Sequence, residues 1–164
     1  MKLRITFFNQ VKTSLFLIIS SITSLAMFTF LEINTKKSLL IIEIPLFVIF
    51  ILPSVYMHLN YYFQGNDIEY ELDNQRIKII KDKVEIIYTK DAFKEIKLYM
   101  SGTRLAGMSL RNFPFENYYY AKIVIEDNTE IIITCLFSQK IDKILESYYS
   151  EVPTLKIKDF YPII

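Results

Sequence analysis

Apolar and polar positions divide the chain into two uncharged runs followed by a long region of regular alternation. Residues 13–31 (TSLFLIISSITSLAMFTFL) hold no Asp, Glu, Lys, Arg or His, and residues 44–66 (IPLFVIFILPSVYMHLNYYFQGN) hold only His58. Either run is long enough to cross a hydrocarbon core about 30 Å thick as a helix. They predict a hairpin of two transmembrane helices, with spans at about 13–31 and 40–62. The hairpin fills residues 1–66 and leaves a second domain over residues 67–164. Ser14, Ser20, Ser21, Ser24 and Ala26 are small enough to let the two helices approach closely. Pro45 and Pro53 predict kinks in the second.

After Gln64-Gly65-Asn66 the period becomes two. IEYELD at 68–73 sets Ile68, Tyr70 and Leu72 opposite Glu69, Glu71 and Asp73. RIKIIK at 76–81 and VEIIYT at 84–89 continue the alternation across two polar turns, and KEIKLYM at 94–100 turns Ile96, Leu98 and Met100 inward. Residues 101–117 form an irregular stretch with a short edge strand expected around Leu110–Phe113. YYYAKIVIE at 118–126, Asp127-Asn128 and EIIITCLF at 130–137 read as a hairpin. At Ser138 the period changes to helical, with Ile141, Ile144, Leu145, Tyr148 and Tyr149 on one stripe over about 138–150. Pro153 ends it, and the tail closing on FYPII is expected to lie back on the domain or the membrane. The pattern defines an α+β, mainly β chain: a helical hairpin, about seven strands, and one terminal helix capping a small barrel or sandwich.

Charge narrows the partners. Residues 1–66 carry five Lys/Arg against two Glu, and residues 67–164 carry fourteen against sixteen Asp/Glu, so the halves stand at +3 and −2. A slightly acidic strand-rich half is unsuited to nucleic acid, which needs a basic face. The basic flank Lys2, Arg4 and Lys12 places both chain ends on the cytoplasmic side of the inner membrane by the positive-inside rule. The same flank would suit a secretory signal, but the run ends in MFTFLEIN rather than a small-residue cleavage site. Cys135, the single cysteine, sits in an apolar run and reads as a core residue.

This order resembles the bacterial pleckstrin-homology-like proteins in which membrane helices precede a PH-like domain. The resemblance rests on IEYELDNQRIKII, YTKDAFKEIKLY, YAKIVIEDNTEIIITCLF and SQKIDKILESYY following an apolar hairpin. It implies a helix-capped, seven-stranded antiparallel barrel with Phe93 and Ile96 facing the core. It also implies one of several tasks: lipid reading, peptide docking or oligomerisation. Lipid readers of this kind keep basic residues around the first strand-to-strand loop, and here Leu72–Arg76 has one base and one acid.

No sequence feature marks an enzyme, a cofactor or a metal: there is no Gly-rich phosphate loop or nucleophile elbow, and one His with one Cys makes no zinc site. The candidate contacts to a partner protein, a second copy or anionic lipid are Lys78, Lys81, Lys83, Arg104, Arg111, Tyr118 and Tyr120. The lysines interleave with Asp82, Glu85 and Asp91, which equally describes solubilising surface. Tyr118 and Tyr120 point away from Tyr119, and either face solvent or lie beneath a loop or the helix. Tyr56, His58, Tyr61 and Tyr62 are expected at the membrane interface. Glu43 is an acid near the membrane, read as interfacial or as part of a transport assembly.

Overall fold

In a computed structural model the backbone is described over residues 1–33, 37–108 and 113–164, and side chains over the same residues except 31–33, 37–40 and 42. The chain opens with β1 (Lys2–Arg4) and runs directly into α1 (Phe7–Ile33). The return path is α2 (Lys37–Leu46), a π-helical turn at Phe47–Ile51, and α3 (Leu52–Gly65). Within these, Phe7–Phe30 and Glu43–Gly65 are long and apolar enough to cross a membrane. Only 11% and 22% of their most apolar windows are buried.

Then come β2 (Ile68–Leu72), β3 (Arg76–Lys81), β4 (Val84–Thr89), β5 (Phe93–Met100), the short helix α4 (Gly102–Leu105), β6 (Tyr119–Ile125), β7 (Glu130–Thr134), α5 (Ile141–Tyr148) and β8 (Thr154–Lys158). Six expected strands stand within a few residues of where alternation puts them. The expected strand around Leu110–Phe113 lies, apart from Phe113, outside the described residues. Two further strands emerge where the sequence reads only flank and tail. KLR and TLKIK do alternate, and each finds a sheet edge. The strands form two four-stranded sheets, β1-β2-β3-β4 and β7-β6-β5-β8. No ladder joins them among the described residues, where a closed antiparallel barrel of seven strands was expected. β8 adds to β5 in parallel, Ile96 opposite Thr154 and Met100 opposite Lys158.

The inward positions alternate as read. Tyr70, Leu72, Ile77, Ile96, Leu98, Met100, Tyr119, Ala121, Ile123 and Ile125 are all buried. Burial of each such side chain contributes about 1.5–3 kcal/mol. β4 departs from the pattern: Val84 and Ile86, expected inward, are exposed, as is Ile87. β4 ends its sheet, and of its apolar residues Tyr88 packs against the core while Val84, Ile86 and Ile87 do not. The capping helix is shorter than the stripe predicts. Ser138 makes a local turn, its hydroxyl accepting from the Lys140 amide at 3.2 Å, and α5 begins only at Ile141.

The half of the hairpin nearest the sheets is stitched to them. Met57 and Tyr61 of α3 are fully buried in the domain core. The Asn9 side-chain amide donates to the Phe137 carbonyl at 2.7 Å, and that of Gln139 donates to the Thr13 hydroxyl at 2.6 Å. Pro53 has no N–H for the carbonyl four residues back, that of Ile49. The Tyr161 hydroxyl, on the chain after β8, donates to that carbonyl at 2.7 Å.

Gly65, where α3 meets the sheet, permits the closest approach. A Cβ there would sit 2.7 and 2.9 Å from ring carbons of Phe137 and 3.0 Å from Ile5. Phe137 cannot yield, being 2% exposed and packed edge-on against Tyr70 at 5.0 Å. Gly65→Ala is therefore expected to destabilise the protein by about 1–3 kcal/mol, read as a lowered melting temperature in detergent.

Candidate docking surface

The hairpin between β3 and β4 carries two of the candidate lysines. Lys81 pairs with Val84 across a two-residue turn in which Asp82 and Lys83 both take positive φ, 50° and 67°. Such turns match the twist of the flanking strands and usually recruit Asn-Gly or Asp-Gly. A lysine at the second position carries some backbone strain. Lys81 and Lys83 are exposed beside the root of the helical hairpin, where a shallow cleft is lined by Arg4, Asn66, Asp67, Glu69, Asp82 and Lys83. The cleft holds three acids, Asp67, Glu69 and Asp82, against two bases, Arg4 and Lys83, with Lys81 next to it in the chain. Lys78 faces β4 and is tied to Glu85 at 2.7 Å. On β1, Lys2 lies between Glu69 and Glu71 at 3.2 and 2.6 Å, and its hydrogen bond holds the Glu71 carboxyl below its ordinary value.

Arg104 belongs to the other sheet and is not free surface. Its guanidinium lies 3.4 Å over the Tyr119 ring and donates to the Gln139 carbonyl at 2.9 Å and to Asp142 at 3.3 Å. The Tyr119 hydroxyl also donates to Asp142, at 3.1 Å, and accepts from the Ile141 amide at 2.9 Å. Arg104 thus anchors the start of α5 to β6. Arg111 lies outside the described residues.

The structure joins two groups that the sequence kept apart. Tyr118 is fully buried and Tyr120 is 5% exposed, so neither offers surface to a partner. Of the two positions open to them, the covered one holds, and the cover is α3. The Tyr118 hydroxyl lies 3.1 Å from His58 Nδ1, and the Tyr61 ring meets Tyr118 and Tyr120 edge-on at 5.9 and 6.1 Å. Tyr99 stacks on Tyr120 at 4.7 Å. Burial holds the Tyr118 and Tyr119 phenols neutral well past the usual range and pushes Tyr120 up to about 12. This aromatic seam makes α3 part of the domain. Tyr62 is half-buried against the core and Tyr56 is exposed. Glu43, between the helices, accepts a hydrogen bond from the Ser24 hydroxyl in a cleft with Leu25, Phe28, Ile44 and Phe47.

The residues missed by sequence reasoning are Val84, Ile86 and Ile87, 61%, 46% and 50% exposed on an unpaired edge. VEIIYT is apolar at both parities, which hints at a strand without one solvent face. Its place at the edge has no sequence signal. Among the described residues no group of three His, Cys, Asp or Glu is placed to hold a metal.

Seven strands lead to an α-helix, with the helical hairpin inserted after the first. The chain belongs to the PH domain family, which it matches over residues 2–142. PH domains are as a class non-enzymatic modules that bind proteins or lipids. The match begins at β1 and runs through the hairpin, so the first strand-to-strand connection is residues 5–67 and not the Leu72–Arg76 turn. Comparison with curated proteins and with solved structures found no match.

Two outcomes test this placement. Arg104→Ala removes a cation stacked on Tyr119 and leaves Asp142 half-satisfied, with an expected cost of about 2–4 kcal/mol in thermal stability. Complete burial pushes the Cys135 thiol up to about 12. The folded protein is therefore expected to leave an aromatic disulfide reagent unreacted at pH 8, with one thiol released on unfolding.

Proposed function

We propose that this protein is a membrane-anchored PH module that docks another protein strand, from a partner or from a second copy, along the outer edge of β4. The hairpin supplies location: its apolar side chains face outward over most of both helices, which suits lipid as solvent. The exposed bases Lys2, Arg4 and Lys12 favour the cytoplasmic face of the inner membrane for the domain. In this reading residues 1–66 serve as anchor and residues 67–164 as the docking body.

The observation that carries the reading is the β4 edge. Soluble sheets blunt their edges with charge, proline or bulges. β4 instead presents Val84 and Ile86 on one face and Ile87 on the other, with an unpaired backbone between them. An added strand would satisfy that backbone and cover those side chains. Reading of anionic lipid by Lys81 and Lys83 is less well supported, because Asp67, Glu69 and Asp82 cancel the charge around them. A transport role for Glu43 is weakened by its pairing with Ser24.

The protein purified in mild detergent, or cross-linked in its native membrane, is expected to run as a dimer or with a bound protein. Ile87→Lys is expected to weaken that association at least about tenfold, or 1.4 kcal/mol, with the melting temperature little changed. A strictly monomeric protein that cross-links to nothing, or an association indifferent to both Ile86→Lys and Ile87→Lys, would overturn the reading.

A further inference from the structure

The part of the hairpin that stands clear of the domain is too short to cross a bilayer by itself. On α1 the last buried residue among the described side chains is Leu17, and Ile18 to Ile33 is 16 residues, or about 24 Å at the helical rise. On the return path the Tyr161 hydroxyl reaches the Ile49 carbonyl, and Lys37 to Val48, the 12 residues before it, span about 18 Å. A hydrocarbon core is about 30 Å thick.

The missing length is made up by protein that surrounds the helices at that depth. Phe113 stacks on Phe50 with ring centroids 4.2 Å apart, and Phe115 follows at 6.1 Å. Phe113 and Pro114 share a cleft with Phe16, Ser20, Ser24, Met27 and Phe47, in the middle of the apolar run of α1. Phe160 and Tyr161 pack on Phe115 from the other side at 4.7 and 5.1 Å. The outward surface of this collar is apolar: Leu105, Phe113, Phe160 and Ile163 are between 37% and 56% exposed. Its glutamate is turned inward. The Glu116 carboxylate, 5% exposed, accepts from the Thr103 hydroxyl at 2.9 Å and from the Phe113 amide at 3.1 Å. Irregular backbone is tolerated at membrane depth where its polar groups are satisfied by protein in this way.

We propose that the collar formed by Gly102–Met108, Phe113–Asn117 and Asp159–Ile164 is immersed in the headgroup and outer acyl region of one leaflet. The domain is then a partly embedded body, and the bilayer begins where the collar does. This rests on the reading of the hairpin as a membrane anchor, and the test separates the two.

Cys135 is buried and stays unlabelled, so a thiol-reactive, environment-sensitive fluorophore reports on single added cysteines in the full chain. The sites are Leu25→Cys on the free hairpin, Ala106→Cys and Phe160→Cys on the collar, and Ser147→Cys at the far end of α5. In vesicles of phosphatidylcholine carrying a nitroxide high on the acyl chain, fluorescence is expected to fall severalfold at Leu25, Ala106 and Phe160. Ser147 is expected to be unaffected. Loss at Leu25 alone, with Ala106 and Phe160 matching Ser147, would overturn the embedded collar and leave the anchor standing. No loss at any site would overturn the anchor and the collar together.

Discussion

Everything in this molecule depends on β1 meeting β2. Leu3 sits opposite Tyr70 and Arg4 opposite Glu69, so the 63 residues between Arg4 and Ile68 form a closed loop containing both apolar helices. The entropic cost of closing a loop grows only as the logarithm of its length, and a stiff helical hairpin, its feet already adjacent, lowers that cost. Once the feet are pinned, α3 has no freedom to lean away from the sheets. Met57 and Tyr61 fall into the core and the aromatic seam forms around them. The hairpin is therefore a wall of the PH module.

The same closure explains how the second sheet is finished. α3 and the start of β6 share Tyr61, Tyr118 and Tyr120, and the chain after β8 returns to the same helix. There the Tyr61 hydroxyl donates to the Pro162 carbonyl, and Tyr161 reaches the Ile49 carbonyl that Pro53 cannot serve. One proline, placed mid-helix in an apolar run, thus creates an acceptor that the tail uses. Arg104 holds the opposite face at the same end of the sheet, where α5 starts. Both faces of the second sheet are covered at that end, whereas the outer edge of β4 leaves Val84, Ile86 and Ile87 exposed.

Much of the fold was legible from periodicity. Six strands and the helical stripe of α5 follow from alternation and from the change at Ser138, and the two apolar runs announce themselves. Positions whose meaning is set by distant chain were not legible. Lys2–Arg4 reads as a basic flank because an alternation only three residues long is too short to mark a strand, and its partner lies past the hairpin. Thr154–Lys158 alternates but lacks the apolar content of a core strand, since it joins β5 at an edge. The candidate site suffered from the same limit. Tyr118 and Tyr120 sit on the face opposite Tyr119, and no local rule says that a helix from the first third of the chain covers them. Val84 and Ile86 have the spacing of core residues, and only their place in the sheet order exposes them.

The order of β1 and β2 along the chain constrains biosynthesis. β1 leaves the ribosome 67 residues ahead of its partner, Leu3 waiting for Tyr70, and the nascent chain between them is the part that water solvates least well. The helices must settle before the first ladder can zip. A chain whose two helices fail to pair therefore has no native first sheet, which leaves quality-control proteases an unfolded segment to recognise.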